Sequence, residues 1–183
     1  MFHRHLLLWL ALLTLFVFSG VGYALIIWQQ ERNWQQLLGN QYALQVSAGF
    51  AFGLMSAIVA VVLVESRYLG QLSDFFRELF RNSDIRWHDA IFASFCAGIG
   101  EEIFFRGALQ YYLGIWGTAI LFVLIHGYLN PKHRNLFLYG LYMIFVSAGF
   151  GYLCQYSGLL SAIVAHIIFD IYMFWHLLCS RTK

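Results

Sequence analysis

The stretch AIFASFCAGIGEEIFFRGALQYYL, residues 90–113, decides the fold that the sequence predicts. It is apolar over a length that lets an α-helix cross the roughly 30 Å hydrocarbon core of a bilayer. Three charged side chains interrupt it: Glu101, Glu102 and Arg106. A charge at the bilayer centre costs at least about 2.5–3.5 kcal/mol. Two adjacent glutamates near the middle of one membrane helix therefore indicate residues with a function.

The composition of the whole chain also indicates a membrane protein. Hydrophobic residues make up 61% of its 183 residues and charged residues only 11%, whereas a soluble domain has about 25% charged residues. The net charge of +2 is too small to indicate a nucleic-acid partner. The cysteines lie in apolar runs without CxxC spacing, so we expect small buried hydrophobic residues rather than disulfides or a zinc knuckle.

We predict an all-α fold, a polytopic membrane helix bundle with about six transmembrane helices and one interfacial amphipathic helix. The first apolar stretch is longer than the roughly 7–15 residues of a signal-peptide core, so we expect a retained signal-anchor helix. The apolar stretches fall at about 6–27, 42–64, 90–113, 117–129, 137–156 and 159–179.

The segment 71–87 is expected to form the interfacial helix. Apolar residues recur in it at helical spacing and charged residues occupy the opposite face. The apolar set is Leu72, Phe75, Phe76, Leu79 and Phe80, and the charged set is Asp74, Arg77, Glu78 and Arg81. Within one integral domain, we therefore divide the chain into residues 1–89, with two transmembrane helices and the interfacial helix, and residues 90–183, a core of four transmembrane helices.

The basic residues predict the orientation in the membrane. With six spans and a cytoplasmic N-terminus, nine of the Lys and Arg residues lie on the cytoplasmic side and only Arg32 lies in an outer loop. Such an excess of Lys and Arg is typical of cytoplasmic loops. We expect an integral, multi-pass protein of the cell membrane with both termini in the cytoplasm.

The charged residues of the third stretch are arranged for two tasks. Glu102 and Arg106 are four residues apart, so they share a helix face and can form an ion pair. Glu101 is rotated by about 100° from Glu102 and can face a different cavity. A free carboxylate beside a second set of charges suits a general base.

Three more ionisable residues are predicted at similar depth. His126 lies in the fourth stretch, and His166 and Asp170 lie four residues apart on one face of the sixth. A single buried histidine is more often structural, and the pair of Glu102 with Arg106 by itself would be a structural ion pair. All six residues together favour one shared polar cavity with a function.

These residues stand in three motifs of one family. Residues 101–107, EEIFFRG, match the signature EExxxR, usually written EExxFRG; residues 122–126, FVLIH, match FxxxH; and residues 166–170, HIIFD, match a final His followed by Asn or Asp. Over about residues 90–175 the chain resembles the CAAX protease and bacteriocin-processing (CPBP) intramembrane peptidases, which are glutamic proteases.

The resemblance implies a catalytic core in residues 90–183 and an intramembrane endopeptidase without a cofactor. The expected substrate is a peptide or protein with a membrane-associated C-terminal segment, cleaved near its C-terminal or membrane-embedded part for maturation or sorting. The implied roles are water activation by Glu101 and His126, oxyanion stabilisation by His166 and Asp170, and support of the site or substrate orientation by Glu102 and Arg106.

Asp170 departs from the better-studied members of the family, which carry Asn at this position. Because an ionised carboxylate would repel an oxyanion, Asp170 must either be protonated or keep His166 as a positively charged donor. We favour the second role.

Three alternatives stay open. A zinc-dependent peptidase is one, since two histidines and a glutamate could bind zinc, although no HExxH motif is present. A transporter or proton-relay protein also uses buried Glu and His, but the chain shows no inverted repeat. A non-catalytic immunity or scaffold protein with the same motifs is the third.

Overall fold

The computed structural model of the chain describes residues 4–29, 33–67, 69, 72–73, 77–78 and 84–179, and these form helices and turns without a β-strand. Five helical segments are long and apolar enough to cross a membrane, which confirms the predicted all-α membrane bundle. The helices are α1 Arg4–Gln29, α2 Trp34–Leu38, α3 Tyr42–Val64, α4 Trp87–Glu102, α5 Gln110–Ile125, α6 Arg134–Tyr156 and α7 Leu159–Cys179, and a π-helical turn, Ile103–Leu109, joins α4 to α5.

The longest of the five segments, Trp87–Ile125, reverses direction at Gly114. This glycine has φ 66° and ψ 177°, a backbone region that is essentially reserved for glycine. The rings of Phe105 and Phe122 lie 5.0 Å apart, whereas a continuous helix would separate them by about 25 Å. The parts of this segment before and after Gly114, which we call its two arms, therefore lie side by side.

The reversal explains how five candidate spans relate to the predicted count of about six. The arm after Gly114 ends at Ile125, so its residues 115–125 rise only about 16 Å, roughly half of the hydrocarbon core. The third and fourth apolar stretches are thus separate arms, as predicted, but the helix of the second arm ends at Ile125 rather than at residue 129.

Helices α3 and α7 approach each other closely through small residues. A Cβ atom on Gly49 would collide with the carbonyl oxygen of Ser161, and one on Gly53 would collide with that of Ala165. In a bilayer, small residues permit such backbone contact. The contact fixes the depth and rotation of α7 immediately before His166.

Helix α1 packs in the same way against α4 and the π-helical turn after it. A Cβ atom on Gly100 would lie 3.0 Å from Leu15 Cα, and one on Gly22 would lie 2.9 Å from Phe104 Cα. The facing part of α1, Thr14–Phe18, is also π-helical. Wide turns of this kind occur often near functional sites.

The predicted interfacial helix falls largely outside the described residues. Most of the segment 71–87, including Phe75, Phe76, Leu79 and Phe80, is not described, so this helix stays a prediction. The division of the chain at residue 89 also stays a prediction. Among the cysteines, Cys96 and Cys154 are buried as expected, whereas Cys179, the last residue of α7, is exposed.

Candidate active site

Glu102 is the centre of a buried polar cluster. Its Oε1 atom accepts a hydrogen bond from Arg106 Nη1 at 2.8 Å and another from His166 Nδ1 at 2.7 Å. The side chains of Glu102 and Arg106 are both 0% exposed. The ion pair expected from their spacing is therefore present, and it also holds a histidine from another helix.

Arg106 ties the same cluster to α6. Its Nη2 atom donates to the hydroxyl oxygen of Ser147 at 2.7 Å and to the carbonyl oxygen of that residue at 3.1 Å. The guanidinium carbon lies 4.8 Å from the ring centre of Phe122 and 5.6 Å from that of Phe150, within range of cation–π attraction. Arg106 is therefore bonded to the scaffold through both terminal nitrogens, while its Nε atom is buried without a hydrogen bond to a described residue.

His166 presents only one ring nitrogen to the rest of the site. Its Nδ1 atom faces Glu102, whose carboxylate is paired with Arg106 and can only accept a hydrogen bond. The Nδ1 atom must therefore be the donor and carry a proton. Its Nε2 atom lies 3.6 Å from Asp170 Oδ2 and 4.0 Å from Glu101 Oε2. Both distances exceed the usual limit for a hydrogen bond, so Nε2 faces two carboxylates without bonding directly to either.

His126 approaches the same carboxylate from α5. Its Nδ1 atom lies 2.6 Å from the carbonyl oxygen of Phe122 and must donate to it, since a carbonyl only accepts. The Nε2 atom is then the acceptor of the neutral ring, and it lies 3.7 Å from Glu101 Oε2. The two atoms are close enough for one water molecule beside them to donate a hydrogen bond to each.

Glu101 is the carboxylate without a structural task. Its side chain is 11% exposed, and its Oε2 atom forms no hydrogen bond with any residue in the described ranges. It lies 3.7 Å from the Nε2 atom of His126 and 4.0 Å from that of His166. An unpartnered carboxylate oxygen facing two ring nitrogens is suited to accept a proton.

A turn at Gly127 places His126 at the end of α5. Gly127 has φ 76°, and its N–H donates to Leu124 O at 3.0 Å while the N–H of Tyr128 reaches Val123 O at 3.4 Å. This is the Schellman arrangement in which a left-handed glycine ends a helix. This glycine was not predicted as a helix end from the sequence, although a glycine directly after an apolar run is a recognised stop signal.

The structure brings all six predicted residues into one cluster. Ser147 and Phe150, both on α6, belong to its walls and were not predicted from sequence. Ser147 gave no signal because a serine in a membrane helix usually bonds within its own helix; Phe150, which stacks on His166 with centroids 5.6 Å apart, is one of eighteen phenylalanines in the chain.

A bound zinc ion would need three protein ligands from this cluster. Among the residues that the structure describes, no group of three or more His, Cys, Asp or Glu side chains has the geometry to hold a metal. The side chains as placed do not fit a three-ligand zinc site.

Comparison with protein families finds that residues 83–172 match the family described as type II CAAX prenyl endopeptidase Rce1-like. The matched segment contains Glu101, Glu102, Arg106 and His126, and it extends into α7 as far as residue 172, beyond His166 and Asp170. No curated protein and no solved structure matches the chain.

Proposed function

Residues 83–172 belong to the Rce1-like family of type II CAAX prenyl endopeptidases, a family of proteases. On that premise we propose that Glu101 activates water for peptide hydrolysis inside the membrane. The observation that carries the proposal is the convergence of three unbonded atoms. Glu101 Oε2 lies 3.7 Å from His126 Nε2 and 4.0 Å from His166 Nε2.

The first step uses Glu101 and His126. A water between them donates one hydrogen bond to each, because Glu101 Oε2 and the neutral His126 Nε2 are both acceptors. Glu101 takes a proton from this water as its oxygen forms a bond to the carbonyl carbon of the scissile peptide. General-base assistance of this kind contributes about 10²–10⁴-fold to rates.

The second requirement is a donor for the oxyanion that forms on the carbonyl oxygen. We assign this role to His166 Nε2 in the imidazolium form. Glu102 at 2.7 Å from Nδ1 and Asp170 at 3.6 Å from Nε2 place a carboxylate beside each nitrogen of the ring. Donors aimed at developing negative charge usually supply the largest single contribution to catalysis.

The reaction closes without a further reactant. The tetrahedral intermediate breaks its carbon–nitrogen bond, and the departing amine takes the proton that Glu101 had accepted. One water is consumed, and the products are a new carboxylate terminus and a new amino terminus. Arg106 and Glu102 take no part in these proton movements and hold His166 in place.

The depth of the site indicates the class of substrate. Glu101 lies near the midpoint of residues 87–113, and His166 and Asp170 lie in the middle part of α7. A scissile bond must reach this depth, so we propose a peptide or protein whose C-terminal segment is itself associated with the membrane. Cleavage near that segment would serve maturation or sorting.

The test compares protein termini in membrane and secreted fractions of cells that express the wild type or Glu101→Gln at matched levels. We expect one or more peptide bonds whose cleavage falls at least about 100-fold in the variant. Glu78→Gln, the same change at an exposed position, serves as the control and should leave cleavage unchanged. Suppose that the wild type and both variants give identical protein termini, and that the detected peptides include short hydrophobic tails. That result would favour an immunity, scaffold or transport protein instead.

A zinc-dependent form of the same reaction is the second candidate, because two imidazole nitrogens face one glutamate oxygen. We propose the metal-free reaction, since the described side chains do not form a three-ligand group. Purified protein treated with a chelator should retain its activity. Loss of activity that returns on addition of zinc would establish the metal-dependent form.

We also propose the orientation that the basic residues predict, with both termini in the cytoplasm. It is supported by the excess of Lys and Arg in the loops assigned to that side. A protease-sensitive tag at either terminus should be protected in intact cells and cleaved after permeabilisation.

A further inference from the structure

Tyr128 lies beside the candidate site and has no part in the mechanism above. The Gly127 turn redirects the chain after α5, so that the Tyr128 ring lies parallel to the His126 imidazole, with an angle of 5° and centroids 6.2 Å apart. On its other side, Tyr139 of α6 packs edge-on at 5.6 Å. The ring is therefore held between two helices.

The hydroxyl group of Tyr128 is uncommitted. The ring that carries it stacks on His126, whose Nε2 atom lies 3.7 Å from Glu101 Oε2. The hydroxyl group forms no hydrogen bond with any residue of the described part of the chain. A phenol is both donor and acceptor, so this group can donate to something that enters the site.

The site has few such donors. Glu101, Glu102 and Asp170 only accept while they are ionised, and Arg106 is bound to Glu102 and Ser147. His166 Nε2 is then the one donor that the cluster itself offers to an oxyanion. A tetrahedral oxyanion has room for two or more hydrogen bonds, and each donor contributes strongly in a water-poor site.

We propose that Tyr128 is a further catalytic residue, whose neutral hydroxyl group donates a hydrogen bond to the oxyanion opposite His166. The proposal rests on the function proposed above. Tyr128 keeps its proton throughout, so the balance of the hydrolysis does not change. The hydroxyl group adds a second donor, besides His166 Nε2, in a site where the carboxylates of Glu101 and Asp170 would otherwise face the developing negative charge.

The test uses Tyr128→Phe, which removes the hydroxyl group and keeps the ring that packs against His126 and Tyr139. The assay substrate is a synthetic peptide that spans the Glu101-dependent bond found in the comparison of termini. We expect kcat to fall about 100-fold with KM nearly unchanged, as for loss of one oxyanion donor. Tyr156→Phe, at an exposed tyrosine of α6, is the control and should match the wild type.

A double-mutant cycle with Asp170→Asn separates this role from a structural one. An amide at position 170 supplies N–H donors of its own, so removing the Tyr128 hydroxyl group should then cost about 10-fold or less. A merely structural role predicts the same loss in both backgrounds. All variants are compared as the folded fraction isolated by size-exclusion chromatography.

Each outcome decides the proposal. Wild-type kcat in Tyr128→Phe, a change in KM alone, or equal losses in both backgrounds would overturn the role of Tyr128 and leave hydrolysis by Glu101 intact. If no bond depends on Glu101 in the first place, the proposed function fails and the role of Tyr128 fails with it.

Discussion

At the scale of single residues, the adjacent glutamates differ because of what lies next to each. The Oε2 atom of each glutamate has no hydrogen bond to a described residue, but Glu102 is 0% exposed and its Oε1 atom is bonded to Arg106 and His166. Their spacing along the helix predicts that only Glu102 can pair with Arg106, and the structure contains that pair. The bond from His166 to Glu102 joins residues 64 positions apart and was not predicted.

A charge-balance experiment tests whether this pair is structural. Arg106→Gln leaves the Glu102 carboxylate buried with His166 as its remaining described partner, and we expect a loss of about 3–5 kcal/mol in the free energy of unfolding. The double variant Glu102→Gln/Arg106→Gln removes both charges and should lose less. Titration of SDS into mixed micelles measures the free energies of unfolding.

The decisive quantity is the difference in the free energy of unfolding between Arg106→Gln and the double variant. Because the cost arises from an uncompensated buried charge, removing the second charge should restore part of the lost stability. A double variant that is as unstable as Arg106→Gln, or less stable, would show that hydrogen bonds to Ser147 and packing matter more than charge.

At the scale of helices, two glycines with positive φ shape the site. Gly114 reverses the chain between the two arms, and Gly127 ends α5 immediately after His126. A Cβ atom on either glycine would meet nothing within 4 Å. The requirement for glycine at these positions is therefore conformational and not steric, and it can be tested without creating a collision.

Substitution of Gly127 should separate backbone conformation from packing. Alanine in the left-handed region costs about 1–2 kcal/mol, and we expect Gly127→Ala to lower kcat at least about 10-fold by moving His126 and Tyr128. Gly127→Asn should retain more activity because asparagine tolerates this region. Thermal unfolding and cleavage assays on the purified variants measure both effects.

The matched control is Gly20→Ala in α1. A Cβ atom on Gly20 would also meet nothing within 4 Å, but the backbone of Gly20 is that of an ordinary helix. Alanine should be tolerated there without loss of stability or activity. Equal effects at Gly20 and Gly127 would contradict a conformational role for Gly127.

At the scale of the whole molecule, Glu65 joins separate parts of the chain beyond the end of α3. Its Oε1 atom accepts hydrogen bonds from His176 of α7 at 2.8 Å, Arg77 at 2.9 Å and Ser73 at 3.0 Å. Burial acts to raise the pKa of Glu65, but the hydrogen bonds from His176 and Ser73 and the charge of Arg77 outweigh it. The pKa therefore lies below its ordinary value of 4.5.

The lowered pKa predicts how stability depends on pH. A carboxyl group with a lowered folded-state pKa contributes stability at neutral pH and loses it as pH falls through that value. We expect Glu65→Gln to lower Tm by about 2–4 °C at pH 7, in line with roughly 1 kcal/mol for a partly exposed cluster. The difference from the wild type should narrow below pH 4.5.

The control for this measurement is again Glu78→Gln at an exposed position, which should change Tm little at either pH. Thermal unfolding in detergent at pH 7 and at several values below pH 4.5 provides the comparison. A difference between Glu65→Gln and the wild type that stays constant across this range would show that the contribution of Glu65 does not depend on its charge.

The amino-acid sequence by itself determined the membrane helices and the six ionisable residues of the candidate site. Apolar stretches of this length must form helices in a bilayer, because every backbone N–H and C=O needs a partner within the segment. Spacing along one helix also determined which side chains share a face, as with Glu102 and Arg106. These are local properties, and no knowledge of the other helices is needed to derive them.

Only the tertiary structure decided how the helices meet. The reversal at Gly114, the contact of Gly53 with Ala165 and the bond between Glu102 and His166 all depend on the relative depth and rotation of helices that are distant in sequence. Those quantities result from many weak packing contacts along whole helices. No short motif contains that information, so the sequence alone could name Glu101 as a candidate base but could not show which of its atoms is left unbonded.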